Sequence, residues 1–198
     1  MIRKLMEMKN SKTKKSEYVK IIEELKKFFK NAERIAVVGV GQECRQDDAV
    51  GIITVERLYK ELSGSFKLPL SISEKNFCIG NKIVKFFIGA ETPESLTGKI
   101  RKFKATHVLF IDAAQLARTP GEMELVPLAE IQGEKISTHN IPLSLLGKFL
   151  ELDMGCKTLL LGIQPKDMGI LFERKLSEVV DKAASKAASA VRDALIGP

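Results

Sequence analysis

Ile35-Ala36-Val37-Val38-Gly39-Val40-Gly41 is a short, largely β-branched apolar run closed by glycines. Such a run, with no polar residue on either alternating face, is the pattern of a strand covered on both sides and so of the centre of a parallel sheet. A polar loop follows to Gln46, and the acidic pair Asp47-Asp48 then opens a predicted helix with Val50, Ile53, Val55 and Leu58 continuing to about Leu62. Either carboxylate could cap that helix. Val108-Leu-Phe-Ile-Asp112 repeats the pattern of the first strand, ending in a carboxylate instead of glycine. Lys82 to Ile88 and Thr158 to Leu161 read as further strands, Met123 to Val126 as an edge strand, and Leu70 to Ser73 as a candidate strand in the least regular stretch. Helices are expected from Pro93, from Pro142 toward Leu152, and from Leu176 to Leu195. Strands alternating with helices predict an α/β fold, a three-layer α/β/α arrangement with a mostly parallel twisted sheet.

The chain has 198 residues, of which 44% are hydrophobic, enough for one sizeable core. Residues 16–198 read as a single α/β domain, with an added N-terminal helix over 16–31 that presents Val19, Ile22, Leu25 and Phe29 on one face. Residues 1–15 read as a flexible basic extension. The net charge of +7 is concentrated here, since residues 1–34 hold 11 Lys and Arg against 5 Glu. A nucleic-acid surface would place its charge along a groove of the body and bring stacking aromatics, yet the chain has no Trp and only two Tyr. Cys44, Cys78 and Cys156 are widely spaced and include no C-x-x-C pair, which argues against a zinc ribbon or a disulfide framework. With no apolar stretch long enough to span a bilayer and no signal-like start, a soluble cytoplasmic protein is expected.

Ligands of open parallel sheets bind at the carboxyl ends of the strands, where strand order reverses. Asp112 ends one apolar strand, Asp48 follows the loop after another, and His139 lies in Ser137-Thr-His-Asn just ahead of the Pro142 helix. Two carboxylates and an imidazole form a metal-binding set. Structural readings stand beside that one: Asp48 as a helix cap, Asp112 as an acceptor for loop amides, His139 as a surface residue. Cys44 with His139 offers a thiol nucleophile with little motif support. Gly39-x-Gly41 suggests a dinucleotide loop, but a full G-x-G-x-x-G needs glycine at position 44, where the chain has Cys, and Asp47 and Asp48 would repel a pyrophosphate.

Five segments, Gly39-Val-Gly41 with Asp47-Asp48 and Gly51, Asp112-Ala113, Ser137-Thr-His139, Pro142-Leu143 and Gly162-Ile-Gln-Pro165, occur in the order found in the maturation endopeptidases of nickel-iron hydrogenases. From about residue 34 onward the chain resembles that family. The resemblance implies a phosphorylase/hydrolase-like fold and a peptidase, aspartic-type or metal-assisted, that senses nickel in the precursor of the hydrogenase large subunit and removes its C-terminal peptide. It implies that Asp48, Asp112 and His139 are the catalytic and metal-contacting residues, with nickel supplied by the substrate and no organic cofactor. Gln42 stands where the family usually has Asn, and Ile88 where many relatives carry Asp. The alternatives are a non-catalytic nickel-sensing or assembly protein for hydrogenase, and a Rossmann-like nucleotide-binding enzyme.

Overall fold

The structure, a computed structural model, describes residues 17–64, 75–130, 142–171 and 173–197. A first helix, α1, spans residues 17–29 and leads into β1, Arg34–Val40. Then follow α2 (Val50–Ser63), β2 (Asn76–Ile79), β3 (Lys82–Ala90), α3 (Thr97–Phe103), β4 (His107–Ala113), β5 (Met123–Pro127), α4 (Leu143–Met154), β6 (Lys157–Ile163) and α5 (Glu178–Ile196). The sheet has six strands in the order β2-β3-β1-β4-β6-β5. β1 is paired in parallel on both sides, Val37 lying opposite Phe86 of β3 and Leu109 of β4. β6 extends the parallel set beyond β4, and only the edge strands β2 and β5 run antiparallel.

Strict alternation along the central strands divides the core into two layers. Ile35 and Val37 of β1, Leu109 and Ile111 of β4, and Leu161 and Ile163 of β6 face α1, α2 and α5. Ala36, Val38 and Val40, Val108 and Phe110, and Leu160 face α3 and α4. The chain leaves β1 for β3 on one side and then crosses back to β4 on the other, so strand order reverses at the carboxyl ends of β1 and β4. That is where an open α/β sheet leaves its binding crevice.

Several local expectations change. The candidate strand Leu70–Ser73 lies outside the described residues; the hairpin partner of β3 is β2, joined by a two-residue loop whose first residue, Gly80, has φ +59°. On α1 the buried stripe is Ile21, Leu25 and Phe29, with Tyr18, Ile22 and Phe28 alongside, while Val19 points to solvent. No carboxylate caps α2: Asp47 and Asp48 sit in a 3₁₀ turn, Gln46–Ala49, ahead of it, and make no capping bond. Ile52, Thr54 and Val55 are buried on α2, with Ile53 only partly so. Among the described residues no helix is long and apolar enough to cross a membrane.

Candidate functional site

Three glycines bring the two carboxylates to one rim. A Cβ on Gly39 would lie 2.7 Å from the carbonyl oxygen of Gly51, and one on Gly51 would lie 2.0 Å from that of Ile111 and 2.4 Å from that of Val40. Gly41, at φ +137°, would drive a Cβ to 1.8 Å from the Asp48 carbonyl oxygen. The start of α2 therefore rests backbone to backbone on the ends of β1 and β4, a contact open only to residues without a side chain. Asp48 is three residues before the Gly51 that touches Ile111, and Asp112 is the next residue after Ile111. The same packing answers the dinucleotide expectation, because the space beside the glycines is filled by the chain's own backbone and the acidic turn.

Asp48 and Asp112 are both buried. The backbone N–H of Gln42 donates to Asp48 Oδ2 at 3.0 Å, so the loop after β1 orients this carboxylate through its main chain. Asp112 lies opposite Gly162 of β6 and, by strand alternation, on the layer occupied by α3 and α4. His139 lies outside the described residues, and among those described no group of three acidic, histidine or cysteine side chains is placed to hold a metal ion.

Asp47 has a different use from its neighbour. Its Oδ1 accepts the backbone N–H of Ser177 at 2.7 Å, and its Oδ2 accepts the Ser177 hydroxyl at 2.8 Å and the backbone N–H groups of Lys166 and Asp167 at 2.9 Å each. Its own N–H donates to the Asp167 carbonyl. This carboxylate fastens the segment between β6 and α5 to the acidic turn. Gln164 performs the matching task on the other side of the rim. Its Oε1 accepts from the N–H groups of Leu116 at 2.8 Å and Arg118 at 3.3 Å, and its Nε2 donates to Gln115 Oε1 at 3.1 Å, holding the loop that follows Asp112. Neither role was expected from the sequence, although Gln164 stood in a quoted motif and Asp47 in the doublet.

The other titratable candidates fall elsewhere. His107 starts β4, five residues from Asp112, with its ring edge-on to Phe28 at 5.0 Å. Burial, and then the nearby Lys157, lower its pKa from 6.5 to about 4. Cys44 is exposed in the loop after β1, and its carbonyl accepts the Leu171 N–H at 2.9 Å. Cys156 is buried below α4 and its thiol is pushed up to about 11 by burial and by Glu151, so it stays protonated.

Fold and rim together define a doubly wound α/β protein with a pair of buried carboxylates at its topological switch point. The model of the hydrogenase maturation protease family matches residues 81–194. A Methanocaldococcus jannaschii protein named provisionally as a hydrogenase maturation protease is 33% identical over 138 residues, covering 70% of this chain and 76% of that one. The crystal structure of the nickel-iron hydrogenase maturation protease HycI from Thermococcus kodakarensis superposes with a TM-score of 0.70 at 31% identity, covering 87% of this chain and 99% of that one. The solution structure of the endopeptidase HycI from Escherichia coli gives a TM-score of 0.59 at 25% identity, covering 79% and 87% of the two chains. The chain belongs to the hydrogenase maturation protease family.

Proposed function

We propose that this protein is the peptidase that matures a nickel-iron hydrogenase by cutting the C-terminal peptide from its large-subunit precursor, and that Asp48, Asp112 and His139 receive the nickel carried by that precursor. The observation that carries the reading is the convergence of Asp48 and Asp112 on the switch point, enforced by Gly39, Gly41 and Gly51. Two carboxylate oxygens and an imidazole nitrogen form a donor set suited to nickel(II), and a substrate-borne ion has no need of a resident cage. α4 begins at Leu143 on the layer that Asp112 faces, and His139 is only four residues earlier, within about 14 Å of chain.

Hydrolysis adds water across the scissile amide, and the C–N bond breaks as the departing nitrogen takes a proton. In this reading Asp48 and Asp112 orient the precursor's metal-bearing end, and one of the two carboxylates accepts the proton of the attacking water. The backbone N–H of Gln42 holds Asp48, which helps to set its orientation before substrate arrives. The work is suited to a reducing cytoplasm, where the three cysteines, all free thiols here, persist.

Purified protein incubated with nickel-loaded precursor should shorten it on a denaturing gel. Asp48→Asn and His139→Ala should each abolish this while melting close to the wild type. Processing at the normal rate by either variant would remove that residue from the site; a stable complex with an uncut precursor would show a nickel-sensing assembly protein instead.

A further inference from the structure

The β6 side of the rim is built from side-chain amides. Asp112 and Gly162 are paired in register on β4 and β6, one strand spacing or about 4.8 Å apart. A Cβ on Gly162 would lie 2.9 Å from Ala114 Cβ and 3.3 Å from Leu116 Cδ2, so the loop leaving Asp112 folds back over the immediate sheet neighbour of Asp112. Gln115 stands between those two loop residues and is exposed. Contacts on either side of it therefore seat Gln115 next to Asp112.

A chain of hydrogen bonds fixes which way the Gln115 amide faces. The backbone N–H groups of Leu116 and Arg118 can only donate, so the Gln164 atom that receives both is its oxygen. Gln164 Nε2 then donates to the Pro165 carbonyl at 3.3 Å and to Gln115 at 3.1 Å, and the atom with which Gln115 accepts is Oε1. Gln115 Nε2 is left on the other side of the amide as a donor. Among the described residues it meets Met168 Sδ at 3.8 Å, a weak thioether acceptor. Met168 belongs to the segment that Asp47 fastens beside Asp48 through the N–H groups of Lys166 and Asp167. The Gln115 amide thus spans from the loop after Asp112 to the segment tied to the acidic turn.

Carboxylates that bind a metal ion are ionised, and ionised carboxylates accept hydrogen bonds without donating any. Asp48 and Asp112 in that state offer no donor to the carbonyl oxygens of a bound peptide. Nearby main-chain donors are already committed: Gln42 to Asp48, Ala114 to the Ile163 carbonyl, Leu116 and Arg118 to Gln164, Lys166 and Asp167 to Asp47. Gln115 Nε2 is a strong donor on a weak partner, held in one orientation at the edge of a rim lined with acceptors.

We infer that Gln115 is a substrate-contacting residue, whose Nε2 donates to a backbone carbonyl oxygen of the precursor's C-terminal segment where that segment passes Asp112. Gln164 is the positioning residue that keeps this donor facing outward. The role rests on the function proposed above, and because every residue of the segment carries a main-chain carbonyl, the contact holds the tail without reading its sequence.

Two variants of the full chain separate this contact from a mere bridge between loops. Gln115→Leu removes donor and acceptor together. Gln115→Glu keeps an oxygen for Gln164 Nε2 and exchanges only the outward donor for an acceptor, which repels a carbonyl oxygen. The side chain is exposed, so both should melt with the wild type. Binding of the nickel-loaded precursor and its cleavage are measured separately. Affinity should fall about three- to tenfold in Gln115→Leu, the worth of one hydrogen bond, and at least about tenfold in Gln115→Glu. Wild-type affinity in either variant overturns the inference: in Gln115→Glu it shows a bridge between loops, in Gln115→Leu an effect of added charge alone. Should Gln115→Leu melt early, protein isotope-labelled in its glutamine side chains decides: the Gln115 NH₂ signals, identified by their absence in Gln115→Glu, should shift when precursor is added, and signals that stay in place overturn the contact. Weakened affinity in both variants for a precursor that even the wild type leaves uncut sustains the contact and overturns the peptidase reading.

Discussion

Adjacent aspartates with opposite duties make a sharp test of the site. Asp47 takes hydrogen bonds from Ser177 N and Oγ and from the N–H groups of Lys166 and Asp167, all between 2.7 and 2.9 Å. Hydrogen bonds to an ionised acceptor contribute about 1.5–3 kcal/mol each. Asp47→Asn keeps one oxygen but turns the other into an NH₂ group. If that group occupies the Oδ1 position it meets the Ser177 N–H donor to donor; if it occupies Oδ2 it faces three donors. At least one strong bond is lost and the rest lose their charge, a cost of about 3 kcal/mol. For a chain of this size that lowers Tm by about 6–12 °C. Asp48→Asn keeps an oxygen for the Gln42 N–H and should shift Tm by less than a third as much, yet leave no processing of nickel-loaded precursor. Ser177→Ala, which removes a single hydroxyl, should fall between, at about 1 kcal/mol. Calorimetry of the three variants beside a gel assay of cleavage gives the answer. An Asp47→Asn protein that melts within 2 °C of the wild type would refute the reasoning, and so would an Asp48→Asn protein that processes normally.

Gly51→Ala should cost at least about 3 kcal/mol, because its Cβ would press on the carbonyl oxygens of Ile111 and Val40 with backbone on both sides, whereas Gly98→Ala, with open space around it in α3, should stabilise by up to about 1 kcal/mol; urea unfolding separates them. His107 is held at about 4 by burial, so the unfolded chain takes up a proton at higher pH than the folded one. Its contribution is complete above about pH 6.5 and falls as the pH drops toward 4, by up to about 3 kcal/mol. Stability curves of wild type and His107→Gln that run parallel over that interval would contradict this. Phe29→Ala should destabilise by about 3–5 kcal/mol because the ring is fully buried between α1 and the sheet. Removing residues 1–15 should leave both melting and cleavage nearly unchanged, while removing 1–31 should cost solubility; a soluble, stable protein beginning at Ala32 would refute the assignment of α1 to the core.

β1 and β4 were legible because both faces of each are buried, leaving runs in which no polar residue interrupts the pattern. Asp112 was legible for the same reason, as a carboxylate where the run should have continued. β2 was not, since only Phe77 of its four residues is buried and so short an edge strand carries little alternation. The face of α1 was read with Val19 because the doublets Ile21-Ile22 and Phe28-Phe29 support two stripes that share Leu25 and Phe29, and only packing against α2 and α5 chooses between them. Asp47 and Asp48 cannot be told apart by local spacing: the bonds that define Asp47 come from residues 119 to 130 positions away. Gln164 is a similar case, with acceptor bonds from a loop nearly fifty residues upstream.

The bond between Asp47 and Ser177 also sets an order of events during synthesis. The acidic turn emerges from the ribosome early, with β1 and α2, whereas the donors that fasten it belong to the segment before α5 and arrive last. Contacts so distant in sequence form only after the intervening chain is made and folded. A nascent chain therefore carries both rim carboxylates before it has the clamp that fastens the segment beyond β6 to the acidic turn. A chain that stops short of Ser177 has Asp48 and Asp112 but lacks two of the four bonds to the Asp47 carboxylate that secure the turn beside Asp48.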